Sequence, residues 1–440
     1  MYIPADEIKQ PMLHADTLGF TFVWHGHFLR GVYPESVSLA KSYFDTGFLK
    51  EVIDKGLFPN TWISEYESDL FGLILEHEMI EPVTYASDWN SAMLKDAALM
   101  VLNIAQIAFE YGYNMVDCHK LNVMFSGNKP LYVDLGSFVP NKSGSTGWNP
   151  YASFLHSYYY ILRVWASGAE TMAKRMMAPG LELSDKEYFV FKSRFFRLFP
   201  QLIGKVCLLR DGMCRLAVWD NVRVSQSGKL TVIAKRVVNM LSLSGSQRLK
   251  HLTKKVERIA IKQASIKPAP KWKTDELNSI VQKYSKSPRS LVLINPKSYG
   301  YFEELLLDNP ITCTSIQEND SLSNIEYKQI KNKHYCSTSF RLLNNTIVVK
   351  KEFPEQRLKS DIVCIPDMNL SLYKGQFGIH NALVFIDYCT MFAKKLVIVY
   401  LNSCSETNDV INVLAKKDNI EVHHSANTGE FLILRLNEEN

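Results

Sequence analysis

The sequence predicts an α+β domain followed by an α/β domain with a parallel sheet, and three observations carry that prediction. Residues 19–33, GFTFVWHGHFLRGVY, alternate and are rich in aromatics, as paired strands are. From Trp89 to Tyr111 the chain is apolar on nearly every side, which belongs to a helix inside a core rather than on a surface. Beyond residue 287, SLVLINP, ITCTSI, SDIVCIP and KKLVIVYL are short apolar runs separated by helix-length segments, the alternation of a parallel-stranded α/β unit.

The remaining elements follow in order. Residues 36–55 read as helix and LFGLILEHEMI (70–80) as a strand. Asp88 is the expected N-cap of the apolar helix. Short buried strands are expected around Val116, Leu121 to Phe125 and Leu131 to Val133, and PYASFLHSYYYILRVWASG reads as a second core helix. Between Arg248 and Lys273 the composition changes, with nine Lys or Arg against one acid, Glu257. Leu249, Leu252, Val256 and Ile259 fall at helical spacing there, giving a basic amphipathic helix that ends before KPAPKWK, an expected interdomain linker.

At 440 residues, two or three cores are expected. Hydrophobic residues at 46% and charged residues at 22% exclude extensive disorder. The eight cysteines form no CxxC, so neither a zinc site nor a disulfide framework is expected, and a reducing cytoplasm is the expected compartment. MYIPADEIKQ has no basic segment followed by an apolar core, so no secretory signal is expected, and with no run of about 18 apolar residues no membrane span is expected.

The chemistry concentrates in MVDCHKLNVMFSGNKPLYVDLGSF, residues 115–138. Asp117 is placed to accept a proton from a hydroxyl nucleophile. Asn122, five residues on across a tight loop, offers an oxygen to a metal ion, and Asp134 at the end of the next strand completes that site. Burying two carboxylates and an amide together without a cation is costly, whereas Mg²⁺ and a nucleotide make sense of it. The competing reading is a fully satisfied polar network that only holds the loop.

These residues resemble the catalytic and metal-binding segments, D-x-H-x-x-N and a strand ending in Asp, of aminoglycoside-phosphotransferase-like members of the protein-kinase fold. LRGVYPE, LILEHEMI, DAALMVLNIAQIAFEYGYNMVDCHKLNVMF and PLYVDLGSF further resemble a family of bacterial methyltransferases, including nodulation-type ones, in which a reduced kinase-like domain precedes a Rossmann methyltransferase domain. The resemblance implies an α+β reduced protein-kinase-like domain (N-lobe 1–85, C-lobe 86–240), a basic connector (241–286) and an α/β Rossmann-like, methyltransferase-type domain (287–440). It also implies that Asp117 is the catalytic-loop aspartate, His119 a loop-ordering residue, Asn122 a metal ligand and Asp134 the principal one. No glycine-rich loop or V-A-I-K-like strand is present, which leaves Arg30 and Lys41 to face the nucleotide phosphates.

In the second domain, SLVLINPKSYGYFEE stands where that family has an acid and a glycine-rich turn for S-adenosylmethionine. Gly300 and Phe302 match its end, but Ile294 replaces the acid and Pro296 the first glycine. Glu318, after the second strand, is the candidate for the ribose hydroxyls, with Gln317 beside it. A Rossmann-like domain that has lost its cofactor is the competing reading.

The basic stretch 248–273 is expected either to pack its apolar stripe on a neighbouring domain or to lie on an anionic membrane surface, while nucleic acid is disfavoured for lack of stacking aromatics. His25 and His27 share a strand face without a third ligand, so packing is expected of them. The function expected is Mg²⁺- and ATP-dependent phosphorylation of a hydroxyl on a small molecule or glycan, with bacterial surface-polysaccharide modification implied by the resemblance. A methyltransferase or an inactive two-domain scaffold is the alternative.

Overall fold

The computed structural model describes residues 1–9, 16–80, 83–141, 147–203, 245–285, 288–308, 311–317, 319–332, 340–343, 359–368, 375–402, 405–414, 419–425 and 429–436. The first sheet is antiparallel, in the order β1-β2-β4-β3, from β1 (Gly19–Trp24), β2 (His27–Val32), β3 (Thr61–Ile63) and β4 (Leu73–His77). His25 and Gly26 turn the β1–β2 hairpin with φ of 45° and 86°. Two consecutive positive-φ residues match the twist of the flanking strands. The helix expected over 36–55 is two helices, α1 (Val37–Asp45) and α2 (Phe48–Asp54), because Gly47 between them adopts φ 81°.

The apolar stretch forms α3 (Ser91–Glu110), whose buried residues run from Ser91 to Ala108 on all sides. Its N-cap is Asn90, whose side chain accepts the Met93 N–H at 2.8 Å, rather than Asp88, which lies in the preceding 3₁₀ turn Ala86–Asp88. By length and composition α3 could cross a membrane, but in this fold it is the central core helix. After it, β6 (Tyr113–Met115) pairs with β9 (Phe138–Pro140), and β7 (Val123–Ser126) forms a hairpin with β8 (Lys129–Tyr132) and pairs on its other side with the short β5 (Val83–Thr84). Val116 and Leu121, expected in buried strands, are about half exposed and lie in the intervening loop. The second core helix is α4 (Tyr151–Phe154), one π segment (Leu155–Tyr159) and α5 (Tyr160–Ala166), followed by shorter helices.

The basic stretch contains a helix over Gly245–Glu257. Leu249, Leu252, Val256 and Ile259 are all at most 3% exposed and join the core cluster that contains α3. Lys95 of α3 donates to the carbonyls of Glu257 at 2.8 Å and Ile259 at 2.9 Å, a cation at a helix C-terminus where it offsets the dipole. The apolar stripe is therefore covered by the chain itself, leaving Lys250, Lys254, Lys255 and Arg258 outward.

The expected linker KPAPKWK is instead structured. Pro268 forms a β-bridge to Tyr299, and a helix over Lys271–Tyr284 packs with the second domain. That domain has seven strands in the order β12-β11-β10-β13-β14-β16-β15. They are β10 (Ser290–Ile294), β11 (Thr312–Ile316), β12 (Phe340–Leu343), β13 (Ser360–Met368), β14 (Ala393–Leu401), β15 (Ile420–His424) and β16 (Glu430–Arg435). Counted from β10, the order is 3-2-1-4-5-7-6, with the last strand antiparallel to its neighbours. This is the doubly wound Rossmann-like sheet in its methyltransferase-type form, with one reversed strand inserted near the end.

The two halves meet through buried polar groups. Asp320, opening the helix Asp320–Asn332, accepts the Ser91 N–H at 3.0 Å and its hydroxyl at 2.7 Å. Asn90 donates to Ser323, Asn324 accepts the Ala92 N–H, and the Tyr327 hydroxyl donates to Asp96, all between 2.7 and 2.9 Å. Such a network fixes one docking geometry because each misplacement strands a buried donor.

Candidate functional site

A cleft of about 390 Å³ opens between the first sheet and the β7–β8 hairpin. Arg30 of β2 and His77 of β4 line its upper side, Asn122 and Asp134 its floor, and Met124 and Val133 an apolar wall. Its volume suits a small ligand.

The 3₁₀ turn Lys120–Asn122 places Asn122 directly before β7, and Asp134 follows β8, so the hairpin brings both to one edge. Asn122 Nδ2 donates to Asp117 Oδ1 at 2.7 Å and to Asp134 Oδ2 at 3.1 Å. The Tyr132 hydroxyl donates to Ser137 Oγ at 2.7 Å, and Ser137 Oγ donates to Asp134 Oδ2 in turn. One amide thus sits between two carboxylates. Burial, with the Asp134 charge adding to it, holds the Asp117 carboxyl above its ordinary range, while neighbouring His119 pulls it down. His119 Nε2 lies 3.6 Å from Asp117 Oδ2, and its Nδ1 is buried with no hydrogen-bond partner among the described residues.

Arg30 is 4% exposed; it donates through Nη1 to Asp16 Oδ2, and its Nη2 lies 3.9 Å from Asp134 Oδ1. Asp16 also accepts the Leu18 N–H at 2.8 Å. Its carboxylate presses on Gly136, where an added Cβ would meet Asp16 Oδ1 at 2.1 Å. Position 136 therefore admits only glycine without displacing the aspartate that holds Arg30. Burial first, then the Arg30 charge, push His77 down to about 3, so this cleft residue is neutral at any working pH.

The structure therefore gathers Asp117, His119, Asn122, Asp134 and Arg30. Lys41 is a correction: it lies on the exposed side of α1 and does not line the cleft, because the buried positions of that helix are Ala40 and Tyr43. Asp16, Tyr132, Ser137 and His77 escaped the sequence reading. Ser137, three residues after Asp134, was the one with a local signal. Among the described residues no three His, Cys, Asp or Glu side chains group as a metal site. Two carboxylates and an amide suit a hard cation such as Mg²⁺ once the Asn122 amide, whose nitrogen here faces both carboxylates, turns its oxygen inward. His25 and His27 do not share a strand face: His25 sits exposed in the hairpin turn with φ 45°, and exposed His27 at the start of β2 is held through Nδ1 by Glu76 at 2.7 Å.

In the second domain the turn after β10 runs from Asn295 to Gly300. Asn295 has φ 47° and Gly300 φ 87°. Ile294 is fully buried in the apolar core, and Pro296 brings no N–H. Gln317, at the end of β11, donates to Glu326 Oε2 at 2.5 Å, so its amide is committed inward. Glu318 lies outside the described residues. These residues do not match the acid-and-glycine cradle that S-adenosylmethionine requires in this fold.

No protein-family model matches the chain. It is 27% identical over 117 residues to the nodulation protein NoeA of Rhizobium meliloti (strain 1021), a match spanning 25% of this chain and 24% of that protein's length. Among solved structures it is similar to a magnesium protoporphyrin IX methyltransferase from Synechocystis PCC 6803 with bound SAM (8% identity, 37% of this chain, 79% of that one, TM-score 0.28). It is also similar to a methyltransferase from Pyrococcus furiosus (12%, 43%, 96%, 0.29) and a SAM-dependent O-methyltransferase from Thermotoga maritima (8%, 40%, 69%, 0.30). None of these is named a phosphotransferase.

Proposed function

We propose that the N-terminal cleft binds a divalent cation with a nucleotide and transfers a phosphoryl group to a hydroxyl of a small molecule or glycan. The observation that carries this reading is the convergence of Asp117, Asn122, Asp134 and Arg30 at one edge of a cleft whose other wall is apolar. In it, Asn122 and Asp134 would hold the cation, Arg30 would meet phosphate oxygens, and the apolar wall would take the base. Asp117 orients the acceptor hydroxyl and receives its proton. The bound Mg-nucleotide supplies the phosphoryl group and charge neutralisation.

A second reading is favoured by the strand order of the second domain and by the names of the solved structures similar to it: a methyltransferase using S-adenosylmethionine, with the N-terminal half as a binding or structural module. Calorimetric titration of the whole chain with Mg-ATP and separately with S-adenosylmethionine separates the two. Saturable Mg-ATP binding that Asp134→Ala removes supports the first. S-adenosylmethionine binding alone supports the second.

A further inference from the structure

Ligands of doubly wound sheets bind at the carboxyl ends of the strands, where the strand order reverses. Here that point lies between β10 and β13, and an ion pair of the chain's own stands at it. Lys273, in the first turn of the helix Lys271–Tyr284, is only 4% exposed. Its ammonium lies 2.7 Å from Asp367 Oδ1 near the end of β13 and 3.8 Å from the centre of the Tyr400 ring near the end of β14. Asp367 Oδ2 accepts the Lys297 N–H at 2.8 Å and the Tyr301 hydroxyl at 2.5 Å. Lys297 belongs to the very turn that would approach a cofactor. That turn is also strapped from the N-terminal side, since the Ala269 N–H donates to the Tyr299 carbonyl at 2.8 Å.

We propose that the chain's own Lys273–Asp367 pair, anchored by Tyr301 and the Lys297 amide, closes the cofactor crevice of the methyltransferase-type domain, so that this domain does not take S-adenosylmethionine. Several features agree with it. A buried ammonium is costly unless its partner and the surrounding donors are fixed, and the aromatic face of Tyr400 adds to the fixation. Burial also holds the Lys273 amine below its ordinary range and the Tyr301 phenol well above its own. The pair spans the helix, the end of β13 and the turn after β10, and so locks three elements that a cofactor would otherwise hold together.

The inference does not depend on the phosphotransferase reading, since a failed Mg-ATP titration leaves it untouched. Two measurements test it. In calorimetry of the full chain, S-adenosylmethionine should give no saturable heat, a Kd weaker than about 1 mM. Micromolar binding by the parent chain overturns the proposal. In thermal unfolding, Lys273→Met and Asp367→Asn should each lower the melting temperature by several degrees, and the double variant should recover most of the loss because the two charges act as a unit. Strictly additive losses mean that the pair does not act as a closure, and also overturn it.

Discussion

Glu326 gives the most quantitative prediction. It lies within the helix Asp320–Asn332, beneath β11, and receives the Gln317 amide at 2.5 Å. Burial raises its carboxyl from an ordinary 4.5 to about 8, with the Gln317 bond pulling the other way. The folded chain keeps this proton up to about pH 8, while the unfolded chain releases it near 4.5. The contribution to stability is therefore full below pH 4.5, falls through the window up to about pH 8, and then levels off. At 1.36 kcal/mol per pH unit, the loss between pH 4.5 and 7 is about 3 kcal/mol. Glu326→Gln replaces the protonated acid with a neutral group of the same shape that still accepts from Gln317. Urea unfolding of parent and variant at pH 5, 6, 7 and 8, followed by fluorescence and circular dichroism together, isolates this group because other titrations cancel in the difference. The variant should gain on the parent by roughly 1 kcal/mol per pH unit across this range. A difference that stays flat from pH 5 to 8 refutes the reasoning, since it means Glu326 ionises without penalty in the fold.

Three further outcomes are expected. Asp320→Ala strands the Ser91 N–H and hydroxyl at the junction of the two halves and should cost roughly 3 kcal/mol, read as a lower urea midpoint. Tyr327→Phe deletes one hydrogen bond to Asp96 without a cavity and should cost only about 1 kcal/mol, so a loss as large as that of Asp320→Ala would contradict this account of the junction. The Asp117 carboxyl, followed by carbon NMR, should titrate above the ordinary range, and Asp134→Asn should lower its midpoint by removing a neighbouring negative charge; an unmoved midpoint argues against the closeness of the pair.

The cleft was partly legible in the sequence because its polar residues are local: Asp117, Asn122 and Asp134 lie within one loop and one hairpin, framed by apolar strands. Asp16 was not, since it reaches Arg30 and Gly136 only through tertiary packing, and nothing in its own neighbourhood marks it. Lys41 was read from charge alone, and helix phase decides that it points outward. The α/β alternation of the second half was visible in its apolar runs, but the reversed strand β16 between β14 and β15 was not, because pairing order leaves no local trace. Pro-rich KPAPKWK read as a linker by composition. Its bridge to Tyr299 and the Lys273–Asp367 pair depend on partners about 30 and 94 residues away.

The central claim is that the N-terminal cleft holds a cation and a nucleotide, and calorimetric titration of the full chain with Mg-ATP, beside Asp134→Ala, tests it most directly. Removing a cation ligand should abolish binding, so the account predicts a saturable heat in the parent and none in Asp134→Ala, whose ligand-free stability falls by about 1–3 kcal/mol because Asn122 and Ser137 lose their acceptor. No saturable heat in the parent would contradict it and make the cluster a structural network.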